Sequence, residues 1–148
     1  MLQLSKHFSL DEATTSQTAD RLGVDNQPDL ATLMRMRLTA SGMELVRSEL
    51  GDLPIDISSW YRSRRVNRSI GSRDTSQHPK GEAVDFKCPA FGNPLQIVDH
   101  LRKSGIKFDQ LILEFWSGGH TGWVHISFCP KPRRQVLIID RRGARAFG

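Results

Sequence analysis

Three short segments in the second half of the chain repeat one pattern, and that pattern restricts the fold more than anything else in the sequence. They are EAVDF (82–86), FDQLILEF (108–115) and GWVHISF (122–128). Each alternates, and successive side chains of a strand point to opposite faces. Val84 and Phe86 then share one face, as do Leu111, Leu113 and Phe115, and Val124, Ile126 and Phe128. The opposite faces carry Asp85, then Gln110, Ile112 and Glu114, then Trp123, His125 and Ser127. Each strand thus has an apolar face to bury and an opposite face bearing one group able to bind a metal or move a proton. If the three strands are neighbours, Asp85, Glu114 and His125 converge in one groove.

The rest of the chain fits around that sheet. PIDISSW (54–60) and RQVLIID (134–140) also read as strands, and WSGGHTG (116–122) has the glycines of a hairpin connection. Ser9 and Glu12 form a capping box that starts a helix running to Leu22, with Gly23 as the stop. A longer helix opens after Asn26 and Pro28 and ends at Gly51; Leu30, Leu33, Met34, Leu38, Leu45 and Val46 give it a helical period. A third helix starts at Asn93–Pro94 and ends before Gly105. Helices come first and strands dominate later. This order predicts an α+β fold with a mainly antiparallel sheet, helices packed on one face and the polar groups on the other. No repeat or linker divides the 148 residues, so residues 1–148 are expected to form one domain.

Charge and cysteine content exclude several classes. The formal net charge is +5, concentrated in 61–73 and 131–145. Those clusters lack the interleaved aromatics of a base-stacking surface, so nucleic-acid binding is not expected. Two cysteines, Cys88 and Cys129, are too few for a disulfide scaffold or a cysteine-rich metal site. Free thiols are expected, with a single disulfide left open. No apolar run approaches the roughly 20 residues of a membrane span. The opening MLQLSKHFSLDEATT lacks a basic region followed by an apolar core, so no secretory signal is expected.

His78 belongs with the groove. In SQHPKGEAVDF (76–86) the turn at Pro79–Gly81 lets a loop histidine fold back beside the strand aspartate. His78, Asp85 and His125 make a two-histidine, one-carboxylate set. Zinc accepts imidazole nitrogen and carboxylate oxygen at about 2.0–2.2 Å, and catalytic sites supply three protein ligands. A nearby carboxylate that is not a ligand can carry a proton from water to a leaving amine, and Glu114 is the candidate. His7 and His100 read as surface residues. His120, in the hairpin loop, is a secondary candidate for lining the site.

These segments also resemble a known family. SQHPKGEAVDF matches the S-x-H-x-x-G-x-A-x-D signature of M15-type zinc peptidases at Ser76, His78, Gly81, Ala83 and Asp85. That group includes D-alanyl-D-alanine carboxypeptidases and bacteriophage L-alanyl-D-glutamate endopeptidases, and shares its fold with the hedgehog signalling domain. WVHIS resembles the family's second histidine motif and places His125 as third ligand. SSWYRSRRVN resembles the SGYRS…N segment, whose arginine holds a substrate group near the metal in some members; the matching residue is Arg62. The opening LSKHFSLDEATTSQTADRLGVDNQP is similar to phage-type members. One departure stands out. Many members carry a catalytic acid three residues before the second histidine, where this chain has Gly122. Related members, hedgehog among them, place a glutamate at the preceding strand end, which corresponds to Glu114.

The resemblance implies a monomeric peptidase with one zinc ion per chain that hydrolyses the peptide stems of bacterial peptidoglycan, encoded by a phage or prophage. His78, Asp85 and His125 would hold the metal, Glu114 would move the proton, and Arg62 and Ser76 would position substrate. Without a signal, the protein would be made in the cytoplasm and reach the wall by another route. The rival expectation is a catalytically inactive, zinc-stabilised binding or virion structural module of the same fold.

Overall fold

Capping chemistry sets the helix starts in a computed structural model that describes residues 2–148. Ser9 and Glu12 bond each other's backbone and open α1 (Leu10–Thr14). The expected single helix to Leu22 is two. Thr15 adopts an extended backbone, and Ser16 caps a new helix, α2 (Gln17–Leu22), by accepting from Ala19 N. Ser and Thr side chains compete for backbone partners in this way, which favours caps over helix interiors. Asp29 caps α3 (Leu30–Glu49). A reciprocal Asn93–Gln96 box with Pro94 at the first turn starts α5 (Pro94–Arg102). Between them lies α4 (Arg64–Ser69), inside the basic stretch and not expected from the sequence.

The five expected strands form: β1 (Asp56–Ser59), β2 (Ala83–Lys87), β3 (Gln110–Glu114), β4 (Trp123–Ser127) and β5 (Gln135–Asp140). A sixth, β6 (Gly143–Ala146), extends the edge. The sheet order is β1-β2-β4-β3-β5-β6, and every pairing is antiparallel except the parallel β3–β5 pair. The architecture is therefore α+β with a mostly antiparallel sheet. β3 and β4 are the expected hairpin. The register sets Asp85 opposite His125 and Ile112 opposite His125 on the other side, with Glu114 opposite Trp123.

Val84, Phe86, Leu111, Leu113, Val124 and Ile126 enter one core with Met36, Ala40, Met43 and Val46 of α3 and Ile97, Val98 and Leu101 of α5. This corrects the expected inward face of α3. Val46 is buried and Leu33 packs at the margin, but Leu30, Met34, Leu38 and Leu45 are 73, 62, 66 and 58% exposed. The reason is close approach. A Cβ on Gly42 would lie 2.6 Å from the Phe128 ring, and Thr39 Oγ1 donates to Gly81 O at 2.8 Å. Only the face with small or flexible side chains can come that near. Phe115 is a second correction. It leaves the strand with φ +52 and is exposed rather than sharing the face of Leu111 and Leu113. Both cysteines are free thiols; Cys88 is buried and Cys129 is half-buried. No helix among the described residues is long and apolar enough to cross a membrane.

Candidate metal centre

The turn that delivers His78 is built from its neighbours upward. His78 N donates to Ser76 Oγ at 3.3 Å, and Gly81 N donates to His78 O at 3.0 Å. Gly81 has φ +73, and a Cβ there would sit 2.5 Å from Met36 Cγ, so glycine alone lets the loop land on α3. Gly81 O also accepts from Trp60 Nε1 at 3.2 Å. Farther back, Gln77 Nε2 donates to Glu82 Oε1 at 3.3 Å and to the buried Asp109 at 3.1 Å.

This scaffold brings three of the expected residues together. One ligand atom each from His78, Asp85 and His125 lies within 4.8 Å of the others, a group that can hold a metal ion. His78 Nδ1 lies 2.6 Å from Trp60 O, so it carries the proton and leaves Nε2 free as a ligand. That Nε2 stands 3.3 Å from Asp85 Oδ2, and His125 Nδ1 stands 2.9 Å from Asp85 Oδ1. Bonds of 2.0–2.1 Å in a tetrahedron put neighbouring ligands about 3.3–3.4 Å apart. The donor set fits zinc and the His78–Asp85 distance matches that spacing, while His125 and Asp85 stand at the closer distance of a hydrogen bond.

Charges here are strongly coupled. Burial works against the Asp85 carboxylate, but His78 and His125 outweigh it and hold its pKa far below the usual range. Burial pushes His78 down against the pull of Asp85. His125 is pushed up; burial opposes this, and the Asp85 hydrogen bond overrides it. A metal requires an ionised carboxylate and neutral imidazoles; Asp85 and His78 are pushed toward those states, whereas Asp85 favours a proton on His125 that a metal would have to displace.

Glu114 lies on the rim, with Oε1 3.3 Å from His125 Nδ1. Burial first, then the Asp85 charge, push its carboxyl up to about 7. Gly122 explains why an acid does not stand three residues before His125. With φ +66, a Cβ at Gly122 would lie 2.3 Å from Glu114 O and 2.7 Å from Phe115 C. The hairpin closes so tightly on the Glu114–Phe115 peptide that no side chain fits.

Arg62 faces the same cluster. Its Nε donates to Asn67 Oδ1 at 3.2 Å and its Nη1 to Ser59 Oγ at 3.3 Å. Burial lowers its pKa, while Asp85 and Glu114 raise it. Asn67 itself is buried and donates to Arg73 O, so the end of the SSWYRSRRVN segment orients the arginine. Ser76 stays in the turn as described, and His120 is exposed in the hairpin loop. His7 and His100 pair with Glu44 and Glu49 at the surface, away from the metal group.

The Gln77–Asp109–Arg133 link and the buried Trp60 O–His78 contact were missed from sequence. They join residues far apart in the chain, and no local pattern announces them. Part of the basic clusters is engaged in ion pairs: Arg68 pairs with Asp74, Arg133 with Asp109, and Arg142 and Arg145 with Asp140.

Comparison with protein families agrees with this geometry. The model of the family described as Peptidase M15 matches residues 6–127. The chain belongs to the peptidase M15 family, a family of zinc-dependent metallopeptidases. No curated protein matches the chain.

Proposed function

We propose that the protein is a zinc peptidase that hydrolyses peptide stems of bacterial peptidoglycan, as an endolysin-like enzyme of phage or prophage origin. One observation carries the reading: a buried His78–Asp85–His125 set with a rim carboxylate, Glu114, 3.3 Å from one of its imidazoles. His78, Asp85 and His125 are its metal ligands, on the sheet face opposite the helices, in a single domain. Zinc bound there supplies a Lewis acid that polarises the scissile carbonyl and makes water a nucleophile at neutral pH. Glu114 accepts the proton at Oε1 and delivers it to the leaving amine. Arg62 holds a substrate carboxylate or carbonyl through its guanidinium, kept in place by Asn67 and Ser59. Ser76 contributes by shaping the His78 turn. The positive net charge suits an anionic wall polymer.

The test is mass analysis of fragments released from purified peptidoglycan, with and without a chelator. Zinc-dependent release supports the reading and identifies the cut bond. Elemental analysis should find about one zinc per chain, lost when His78, Asp85 and His125 are all replaced by alanine. Zinc binding without release would favour the non-enzymatic module.

A further inference from the structure

The outward side of α3 carries a pattern that the core does not use. Ala31, Met34, Leu38, Ser41, Leu45 and Ser48 recur at alternating steps of three and four residues, and all are exposed. That spacing is the seam of a helix pair, in which a stripe on one helix packs into the other. Its large members, Met34, Leu38 and Leu45, are the residues that the core leaves out, and Leu30 adjoins them. Single exposed apolar residues are ordinary, but a contiguous stripe marks an interaction site. Ser41 Oγ already donates to Arg37 O at 3.3 Å, so it brings no unpaired donor into the stripe.

The pattern selects an antiparallel copy of the same helix. With Leu38 beside the second copy's Ser41, Met34 meets Leu45 and Ala31 meets Ser48, and the same contacts recur in reverse. Charge agrees with this register. Arg37 and Glu44 lie seven residues apart, on one flank of the stripe. In the antiparallel pair each Arg37 comes opposite Glu44 of the other copy, about 3 Å apart along the axis, within reach of both side chains. A parallel pair would instead set Glu44 against Glu49, a like charge. Arg35 and Arg47 of α3 pair within the chain with Glu82 and Asp52, whereas Arg37 has no ion-pair partner among the described residues. Glu44 bonds to Ser5 and His7 and keeps 25% of its side chain exposed. The helix has 20 residues. It is therefore about 30 Å long and about 10 Å across, so the strip covers roughly 300 Å². That is below the about 800 Å² per partner of a standard interface, the size of a reversible contact.

We propose that the outward stripe of α3 is a homodimer interface, in which two copies of the chain pair antiparallel through Met34, Leu38 and Leu45, with Arg37 against Glu44. The dimer is reversible, forming at micromolar concentrations. Gly81 and Phe128 meet the opposite side of α3, so the stripe is not the side that carries the His78 turn. The stripe argues against the monomer that the family resemblance implies.

The experiment is sedimentation velocity of the whole zinc-loaded chain from about 1 to 300 µM, the range in which a contact of this size associates. The mass of wild type should rise from one chain toward two. Leu38→Glu sets like charges near the two-fold axis and should stay monomeric, with zinc content unchanged and the melting temperature that wild type has when dilute. Arg37→Glu and Glu44→Lys should each raise the dissociation constant by about tenfold, and their equimolar mixture should recover it, because each then meets its opposite charge. If Glu44→Lys fails to fold on losing Ser5 and His7, Leu38→Glu and Arg37→Glu alone decide. Wild type that stays monomeric throughout overturns the proposal, as does a dimer indifferent to Leu38→Glu, or one indifferent to Arg37→Glu. Folded charge variants whose mixture associates no better than either alone overturn the antiparallel register. Monomeric wild type that sediments with phosphatidylglycerol vesicles assigns the stripe to a lipid surface and overturns the dimer.

Discussion

Replacing Asp109 by asparagine should weaken the fold at neutral pH and hardly at all in acid. Asp109 is 2% exposed and accepts four hydrogen bonds. Arg133 N and Nε reach Oδ1 at 3.0 and 2.9 Å, and Arg133 Nη2 and Gln77 Nε2 reach Oδ2 at 2.8 and 3.1 Å. The hydrogen bonds from Arg133 hold the carboxyl at about 2, against an ordinary 3.8, despite the opposing effect of burial. At about 1.4 kcal/mol per pKa unit, the depression is worth about 2.5 kcal/mol at pH 7. Arg133 is itself exposed, and solvent screening trims this to about 1–2 kcal/mol. Asparagine keeps the shape but turns an NH₂ toward donors. A folded-state pKa below the unfolded one stabilises above the unfolded value and loses that effect as pH falls through the folded value. The gap between wild type and Asp109→Asn should therefore be full at pH 5–7 and shrink between about pH 4 and 2. Urea unfolding across this range, with a chelator present to remove metal linkage, measures it. A gap that is absent at pH 7, or that does not narrow in acid, refutes the reasoning.

Glu114→Gln should keep zinc and fold while losing about 10²–10⁴-fold in peptidoglycan turnover, read as fragment release at matched zinc occupancy. Arg62→Lys should lower turnover with little change in zinc content or melting temperature, since lysine cannot reproduce the guanidinium's paired donors. Gly122→Ala should destabilise by about 1–3 kcal/mol in denaturant titration, from its positive φ and the clash with Glu114 O.

Those sites differ in how legible they were, and the difference is physical. Asp85, Glu114 and His125 could be read because strand alternation is strict and the hairpin glycines make β3 and β4 neighbours. His78 followed from the turn at Pro79–Gly81. The inward face of α3 could not be read, because apolar residues lie on both sides of it; contact at Gly42 and Gly81 decides, and both contacts are long-range. β6 offers only Gly143 to Ala146, all exposed, and exists through pairing with β5. Asp109 could not be singled out from the sequence, because Gln77 and Arg133 reach it from distant parts of the chain.

Gly122 shows most clearly what the sequence could and could not say. In the chain alone it reads as an acid lost from the family's usual position, which puts catalysis in doubt. In the fold it is the residue that lets the hairpin press against the Glu114–Phe115 peptide. An acid at that position and this tight a closure are sterically exclusive. The closure, in turn, accompanies the left-handed turn at Phe115 that ends β3 just beyond Glu114. Glycine here is thus part of the geometry that places a carboxylate beside His125 from the neighbouring strand. Restoring an acid by Gly122→Asp should push the hairpin away from Glu114 and lower turnover rather than raise it.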